Sequence, residues 1–122
     1  MPNRGEKLVL IADDVDEAAE ALGLLVESVV GFPPLIARNG REAVDRALAE
    51  RPDIAVLDID MPVLDGIEAA REIREKLGEQ RPMLIAFSGG AADRAALSQM
   101  FDYVLAKPTG IDKLVELLAE VP

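Results

Sequence analysis

The chain has no cysteine and no histidine among its 122 residues. The first absence removes disulfides, thiolate nucleophiles and cysteine-based metal sites. The second removes imidazole as a metal ligand, as the base of a Ser-His-Asp triad and as a carrier of phosphate on this chain. Tryptophan is also missing, and one tyrosine and three phenylalanines leave the chain 3% aromatic. With 13 basic against 23 acidic residues the net charge is −10. Such a chain is a poor holder of a nucleic-acid backbone, so no direct nucleic-acid contact is expected. No apolar run approaches the roughly 18 residues that would cross a bilayer. The N-terminal stretch from Met1 to Lys7 carries the charge of a signal peptide, but the apolar run behind it, Leu8 to Ala12, is short and closes on two aspartates. A cytoplasmic domain without membrane insertion is therefore expected. Its titratable chemistry must rest on carboxylates, lysine or hydroxyls.

Half the residues are apolar, enough for a full core, and the length suits one domain over residues 1–122 with a core of about 7–121. Lys7 to Ala12 is a buried-strand candidate ending at Asp13 and Asp14. Asp16 is placed to cap a helix in which Ala18, Ala21, Leu22, Leu25, Val26 and Val29 face inward, closed by Gly31 and Pro33. Leu35 to Ala37 is a short strand. Asn39-Gly40 caps a helix with Ala43, Val44, Ala47 and Leu48 inward, stopped before Pro52. Ile54 to Leu57 is an unbroken apolar strand ending on Asp58. Ile67, Ala70, Ile73 and Leu77 mark a third helix ended by Gly78, Met83 to Phe87 a fourth strand ending at Ser88. An alanine-rich helix from about Ala91 to Met100, a strand Tyr103 to Ala106 ending at Lys107-Pro108, and a last helix with Ile111, Leu114, Val115, Leu118 and Val121 inward complete the chain. The alternation predicts an α/β fold: a doubly wound, flavodoxin-like (βα)5 domain with a five-stranded parallel sheet in the order 2-1-3-4-5.

In that sheet every strand end falls on one edge. The first and third strands are neighbours at the switch point, so Asp13, Asp14 and Asp58 converge there, with Ser88 and Lys107 on the next two strands. Carboxylates packed together without a counter-charge would be driven to protonate. A hard divalent cation relieves that repulsion, and Mg²⁺ suits a partly hydrated site of two or three carboxylates. Each residue also has a plainer use: Asp13-Asp14 at a helix N-terminus, Lys107 before a turn, Ser88 in a glycine-rich turn. The Met61-Pro62 and Asp65-Gly66 pairs read as loop geometry.

Taken together, Asp13-Asp14, the Asn39 to Ala43 run, the Asp58 to Gly66 run, Ser88 and Lys107-Pro108 resemble a response-regulator receiver domain, the module phosphorylated on aspartate in two-component signalling. The resemblance extends from Leu8 to about Leu118. It implies that Asp58 is the phosphoacceptor, that Asp14 ligates Mg²⁺ directly and Asp13 through a water, and that Asp60 offers its backbone carbonyl. It implies that Lys107 pairs with a phosphoryl oxygen and that the Ser88 hydroxyl bonds another. It implies a cis peptide before Pro108, uncommon among X-Pro bonds at large. The partners it implies are a histidine kinase or histidine phosphotransfer protein upstream and a protein effector downstream. Such a domain catalyses only its own phosphorylation and dephosphorylation.

Two departures bear on output. The position three before Lys107, often an aromatic switch in the family, is Val104, and Tyr103 is one residue off, which turns its ring to the opposite face. This run resembles receivers attached to hybrid kinases. The pair Gly89-Gly90 frees the backbone beside Ser88. The change on phosphorylation is therefore expected in residues 88–90 and the helix after them. A rival reading is a Mg²⁺-dependent phosphohydrolase, since Asp58-Ile59-Asp60 resembles the acid pair of haloacid-dehalogenase-like phosphatases. That pair normally closes a first strand, and no cap domain is visible. A pseudo-receiver used only for binding is disfavoured because no acidic-site residue is missing.

Overall fold

The computed structural model describes residues 7–89, 94–107 and 109–120. Their order is β1 (Val9–Ala12), α1 (Asp16–Val30), β2 (Leu35–Ala37), α2 (Gly40–Glu50), β3 (Ile54–Leu57), α3 (Gly66–Leu77), a 3-10 turn (Gly78–Gln80), β4 (Met83–Ser88), α4 (Arg94–Met100), β5 (Tyr103–Ala106) and α5 (Ile111–Glu120). The five strands form one sheet in the order β2-β1-β3-β4-β5. Every pair is parallel, as the β-α alternation predicted. Gly90, the expected helix start at Ala91, Pro108 with its expected cis peptide, and Val121 lie outside the described residues. Among the described residues no helix is long and apolar enough to cross a membrane.

The central strands are unbroken apolar runs because helices cover both their faces. Leu10, Ala12, Ala55, Leu57, Leu84 and Ala86 point to one side, onto Ala43, Val44 and Ala47 of α2, Ala69, Ala70 and Ile73 of α3, and Leu97 of α4. Val9, Ile11, Ile54, Val56, Ile85 and Phe87 point to the other, onto Leu22 and Val26 of α1 and Leu114, Leu117 and Leu118 of α5. Each large aliphatic side chain so buried contributes roughly 1.5–3 kcal/mol. β1 begins at Val9, two residues after the Lys7 start expected for the strand. Leu8 instead donates its N–H to Asp53 Oδ2 at 2.9 Å, and Lys7 Nζ reaches the Leu118 carbonyl at 3.1 Å.

The first helix departs from expectation in two ways. Its N-cap is Val15, not Asp16, and no side chain caps it. The aspartate placed to cap is Asp13, whose Oδ1 accepts the Val15 N–H at 2.9 Å, while Asp16 lies in the first turn and pairs with Arg38. The buried side of the helix is Ala19, Leu22, Gly23 and Val26, and Ala21 is exposed. Leu22 and Val26 face inward as expected, on the side of β1 and β3; the small alanines beside them do not by themselves show which of Ala19 and Ala21 is covered. Asn39 behaves as expected, accepting the Glu42 N–H at 2.9 Å.

At the opposite edge of the sheet, the Arg81 guanidinium spans both Asp102 oxygens at 2.7 and 2.9 Å. The same carboxylate accepts the Leu84 N–H at 2.8 Å. These bonds, Arg81 first, hold the Asp102 carboxyl below its usual range against the opposing effect of burial. Asp102→Ala is expected to cost about 2 kcal/mol near neutral pH. A folded pKa below the unfolded one gives stability that is present above the unfolded value and lost as pH falls through the folded value. The gap in melting temperature between wild type and variant should therefore close below about pH 4. A gap of constant size down to the acid limit would refute this account.

Candidate functional site

The register brings the predicted residues to one edge. β1 pairs with β3 from Val9↔Ile54 to Ala12↔Leu57, so the chain leaves both strands at the same level. The ladder continues one step beyond, with the Asp58 N–H on the Ala12 carbonyl at 2.9 Å and the Asp13 N–H on the Ala37 carbonyl at 3.0 Å. Oxygens of Asp13, Asp14 and Asp58 then lie within 4.8 Å of one another. Asp13 is buried, Asp58 half-buried and Asp14 exposed. Lys107, at the end of β5, places Nζ 3.0 Å from Asp13 Oδ2 and 3.7 Å from Asp58 Oδ2. Its ammonium also stands 5.7 Å from the centre of the Phe87 ring.

Burial is the largest influence on Asp58 and pushes its carboxyl above the ordinary aspartate range. Lys107 and the Asp60 N–H, 3.3 Å from Asp58 Oδ1, pull it down, and the charges of Asp13 and Asp14 push it up. The carboxylates outnumber the ammonium they share, so the edge keeps a negative surplus. Two oxygens on one Mg²⁺ bound at about 2.1 Å stand at most about 4.2 Å apart. A limit of 4.8 Å among the three carboxylates is close to that span, and Asp14 is the one on the exposed side. An all-oxygen set of this kind fits a hard divalent cation.

Asp60 follows in an exposed bend, and Met61 is buried beneath the loop. Asp65 caps α3 by accepting the Glu68 N–H at 2.9 Å. Ser88 closes β4 in a buried position, its carbonyl accepting the Lys107 N–H at 2.9 Å. The structure therefore gathers Asp13, Asp14, Asp58 and Lys107 directly and sets Ser88 on the backbone next to Lys107. Val104 pairs in register with Ala86 and packs on the α2–α3–α4 side. Tyr103 faces away from it, its ring 5.9 Å from Lys113 Nζ of α5. Two features escaped the sequence. One is the Asp13–Lys107 pair. The other is an apolar groove of about 310 Å³ beside it, lined by Ala18, Ala21, Leu25, Phe87 and Ile111 among others. The exposed Ala21 belongs to that groove.

A family model described as the response regulator receiver domain matches residues 9–119. The chain is 34% identical over 109 residues to response regulator MprA of Mycolicibacterium vanbaalenii, covering 88% of this chain and 46% of that protein. It is 34% identical over 118 residues to the autoinducer 1 sensor kinase/phosphatase LuxN of Vibrio campbellii, covering 95% of this chain and 14% of that protein. It thus spans less than half the length of these relatives. Among solved structures, the receiver domain of sensor histidine kinase PA1611 from Pseudomonas aeruginosa, with a magnesium ion coordinated in its active site cleft, superposes with a TM-score of 0.83. The two are 28% identical over 95% of this chain and 97% of the other. Response regulator TrrA from Thermotoga maritima, in complex with Mg²⁺-BeF, has a TM-score of 0.83 at 29% identity, over 95% and 99% of the two chains.

Proposed function

Since this chain belongs to the response regulator receiver domain family, we propose that Asp58 accepts a phosphoryl group from a phosphohistidine donor in a Mg²⁺-dependent reaction. The observation that carries this is the meeting of Asp13, Asp14 and Asp58 within 4.8 Å, with Lys107 Nζ 3.7 Å from Asp58. An Asp58 oxygen attacks phosphorus, the bond from phosphorus to the donor nitrogen breaks, and an acyl phosphate forms while the donor recovers its imidazole. Burial raises the basicity of that carboxylate, which favours attack. Lys107 then has to turn from Asp13 toward a phosphoryl oxygen. The Ser88 hydroxyl takes another. Positioning and charge neutralisation supply most of the catalysis in phosphoryl transfer.

Asp14 and Asp58 would hold Mg²⁺ directly, with the Asp60 carbonyl, and the bound cation would neutralise charge on the transferring group. Both Asp13 oxygens are already engaged, one by the Val15 N–H and one by Lys107, which supports a water-mediated role for it. We take the chain as a single receiver domain in the cytoplasm, a signalling module that catalyses only its own phosphorylation and dephosphorylation. Its partners are a histidine kinase or histidine phosphotransfer protein and a downstream protein effector. The phosphohydrolase reading fits less well: Asp58 closes the third strand, not the first, and the family match lies elsewhere.

Incubation with Mg²⁺ and a small phosphoramidate tests the proposal. Intact mass should show one phosphoryl group per chain, gained only with Mg²⁺ and lost slowly. Continuous phosphate release without a lasting adduct would favour a phosphohydrolase, and no incorporation at all would reject a receiver of working chemistry.

A further inference from the structure

The loop from Asp58 to Gly66 is gripped at two glycines that leave no space for a side chain. A Cβ on Gly66 would overlap the Asp58 carbonyl and sit 2.9 Å from the Ile59 Cα. A Cβ on Gly40, the first residue of α2, would overlap the Leu64 carbonyl oxygen, 2.6 Å from its carbon and 2.9 Å from the Leu64 Cβ. Between these two grips the backbone takes an unusual turn. Val63 has φ +70°, and the Leu64 N–H closes back onto the Pro62 carbonyl at 2.7 Å. This is a γ-turn of the rarer, strained kind, and a β-branched residue is poorly suited to a positive φ. The Val63 side chain is 79% exposed, so its own burial does not offset the strain. What holds the turn is the residue after it: Leu64 packs on the core, and its carbonyl lies against the first turn of α2, the positive end of that helix. At the base of the loop the Gly66 N–H meets the Ile59 carbonyl at 3.0 Å, and the Asp60 N–H meets Asp58 Oδ1 at 3.3 Å.

We propose that Gly40 is a positioning residue for the acidic edge: by admitting the Leu64 carbonyl it forces the strained turn at Val63 and so fixes the Asp60 backbone beside Asp58. The inference rests on the reading that this edge binds Mg²⁺. Gly40 touches neither the cation nor the phosphoacceptor; it acts through a rigid turn. A larger residue at 40 displaces Leu64, and because Val63 transmits the shift, Asp60 moves with it. A glycine at 63, free to adopt either sign of φ, would act as a hinge and uncouple the two ends of the loop.

The test is titration calorimetry of the metal-free chain with MgCl₂, with circular dichroism and melting temperature read in parallel. Gly40→Ala should weaken Mg²⁺ binding about tenfold, the usual scale for a residue that orients a ligand from behind. Adding Val63→Gly to that variant should restore most of the loss, a recovery that general damage to the fold would not show. Val63→Pro, which forbids a positive φ from the exposed side, should weaken binding to a similar extent and serves if Gly40→Ala does not fold. Unchanged affinity in Gly40→Ala or in Val63→Pro overturns the proposal, and so does a loss in Gly40→Ala that Val63→Gly leaves untouched. A wild-type chain that takes up no Mg²⁺ instead rejects the reading of the edge itself.

Discussion

Asp58→Asn is expected to abolish phosphate incorporation while leaving the fold intact. The amide keeps the shape of the carboxylate but carries no nucleophilic oxyanion, so labelling by a small phosphodonor should fall to background. Stability should move the other way. Burial, with the charges of Asp13 and Asp14, raises the Asp58 pKa despite Lys107. A carboxyl whose folded pKa lies above its unfolded one costs stability once pH rises past the unfolded value. Removing that charge should raise the melting temperature of the metal-free chain near neutral pH. Mg²⁺ is expected to raise the melting temperature of the wild type, and the same substitution should blunt that rise. Incorporation persisting at wild-type level would mean that another residue carries the phosphate. A variant that melts lower than wild type without metal would mean that Lys107 outweighs burial.

The second large effect belongs to Gly66. Its missing side chain leaves room for the Asp58 carbonyl, and the atoms that a Cβ would meet are all backbone. No flexible tip can swing aside, so α3 would have to back away from β3. Gly66→Ala should therefore destabilise by about 3 kcal/mol, the upper end for overpacking, which for a domain of this size is a fall of roughly 10 °C in melting temperature. Gly31 and Gly78 provide the contrast. Both have positive φ, but nothing lies within 4 Å of where their Cβ would stand. Alanine there should cost only backbone strain, about 1 kcal/mol at Gly31 in the left-handed helical region and about 2 kcal/mol at Gly78, whose ψ of −126° lies outside it. Denaturant midpoints for the three variants check the ranking, and equal losses would show that crowding at Gly66 had been overstated.

Much of this was legible because apolar runs and charges alternate so plainly. Ile54 to Leu57 could only be a buried strand, and its end had to be Asp58. Once the strands were parallel, order 2-1-3-4-5 put Asp13 and Asp58 together with no knowledge of side chains. Features set by rotation and rotamer were not legible. Ala18, Ala19 and Ala21 are equivalent to any hydrophobic pattern, and only packing distinguishes the buried Ala19 from the exposed Ala21. The charge pattern put the cap at Asp16; the ladder bond from the Asp13 N–H to the Ala37 carbonyl decides that Asp13 turns inward and reaches Val15 instead. Gly40 read as part of a cap, but Asn39 alone caps α2 and Gly40 is its first residue, whose use depends on Leu64, distant in sequence. The Asp13–Lys107 pair spans nearly the whole chain and leaves no local trace.

One feature of the sheet carries a mechanical meaning. β1 and β3 are sealed on both faces along their whole length, whereas in β5 only Leu105 is fully buried. Strands of low burial open at lower free energy than the core. Stiffness therefore falls across the sheet from the strand that carries Asp58 to the strand that carries Lys107. Asp58 is anchored at the rigid end and Lys107 at the compliant end. The separation of the two, 3.7 Å here, is then the coordinate most easily altered, and an anion arriving between them would draw in the lysine and its strand while the aspartate stayed put.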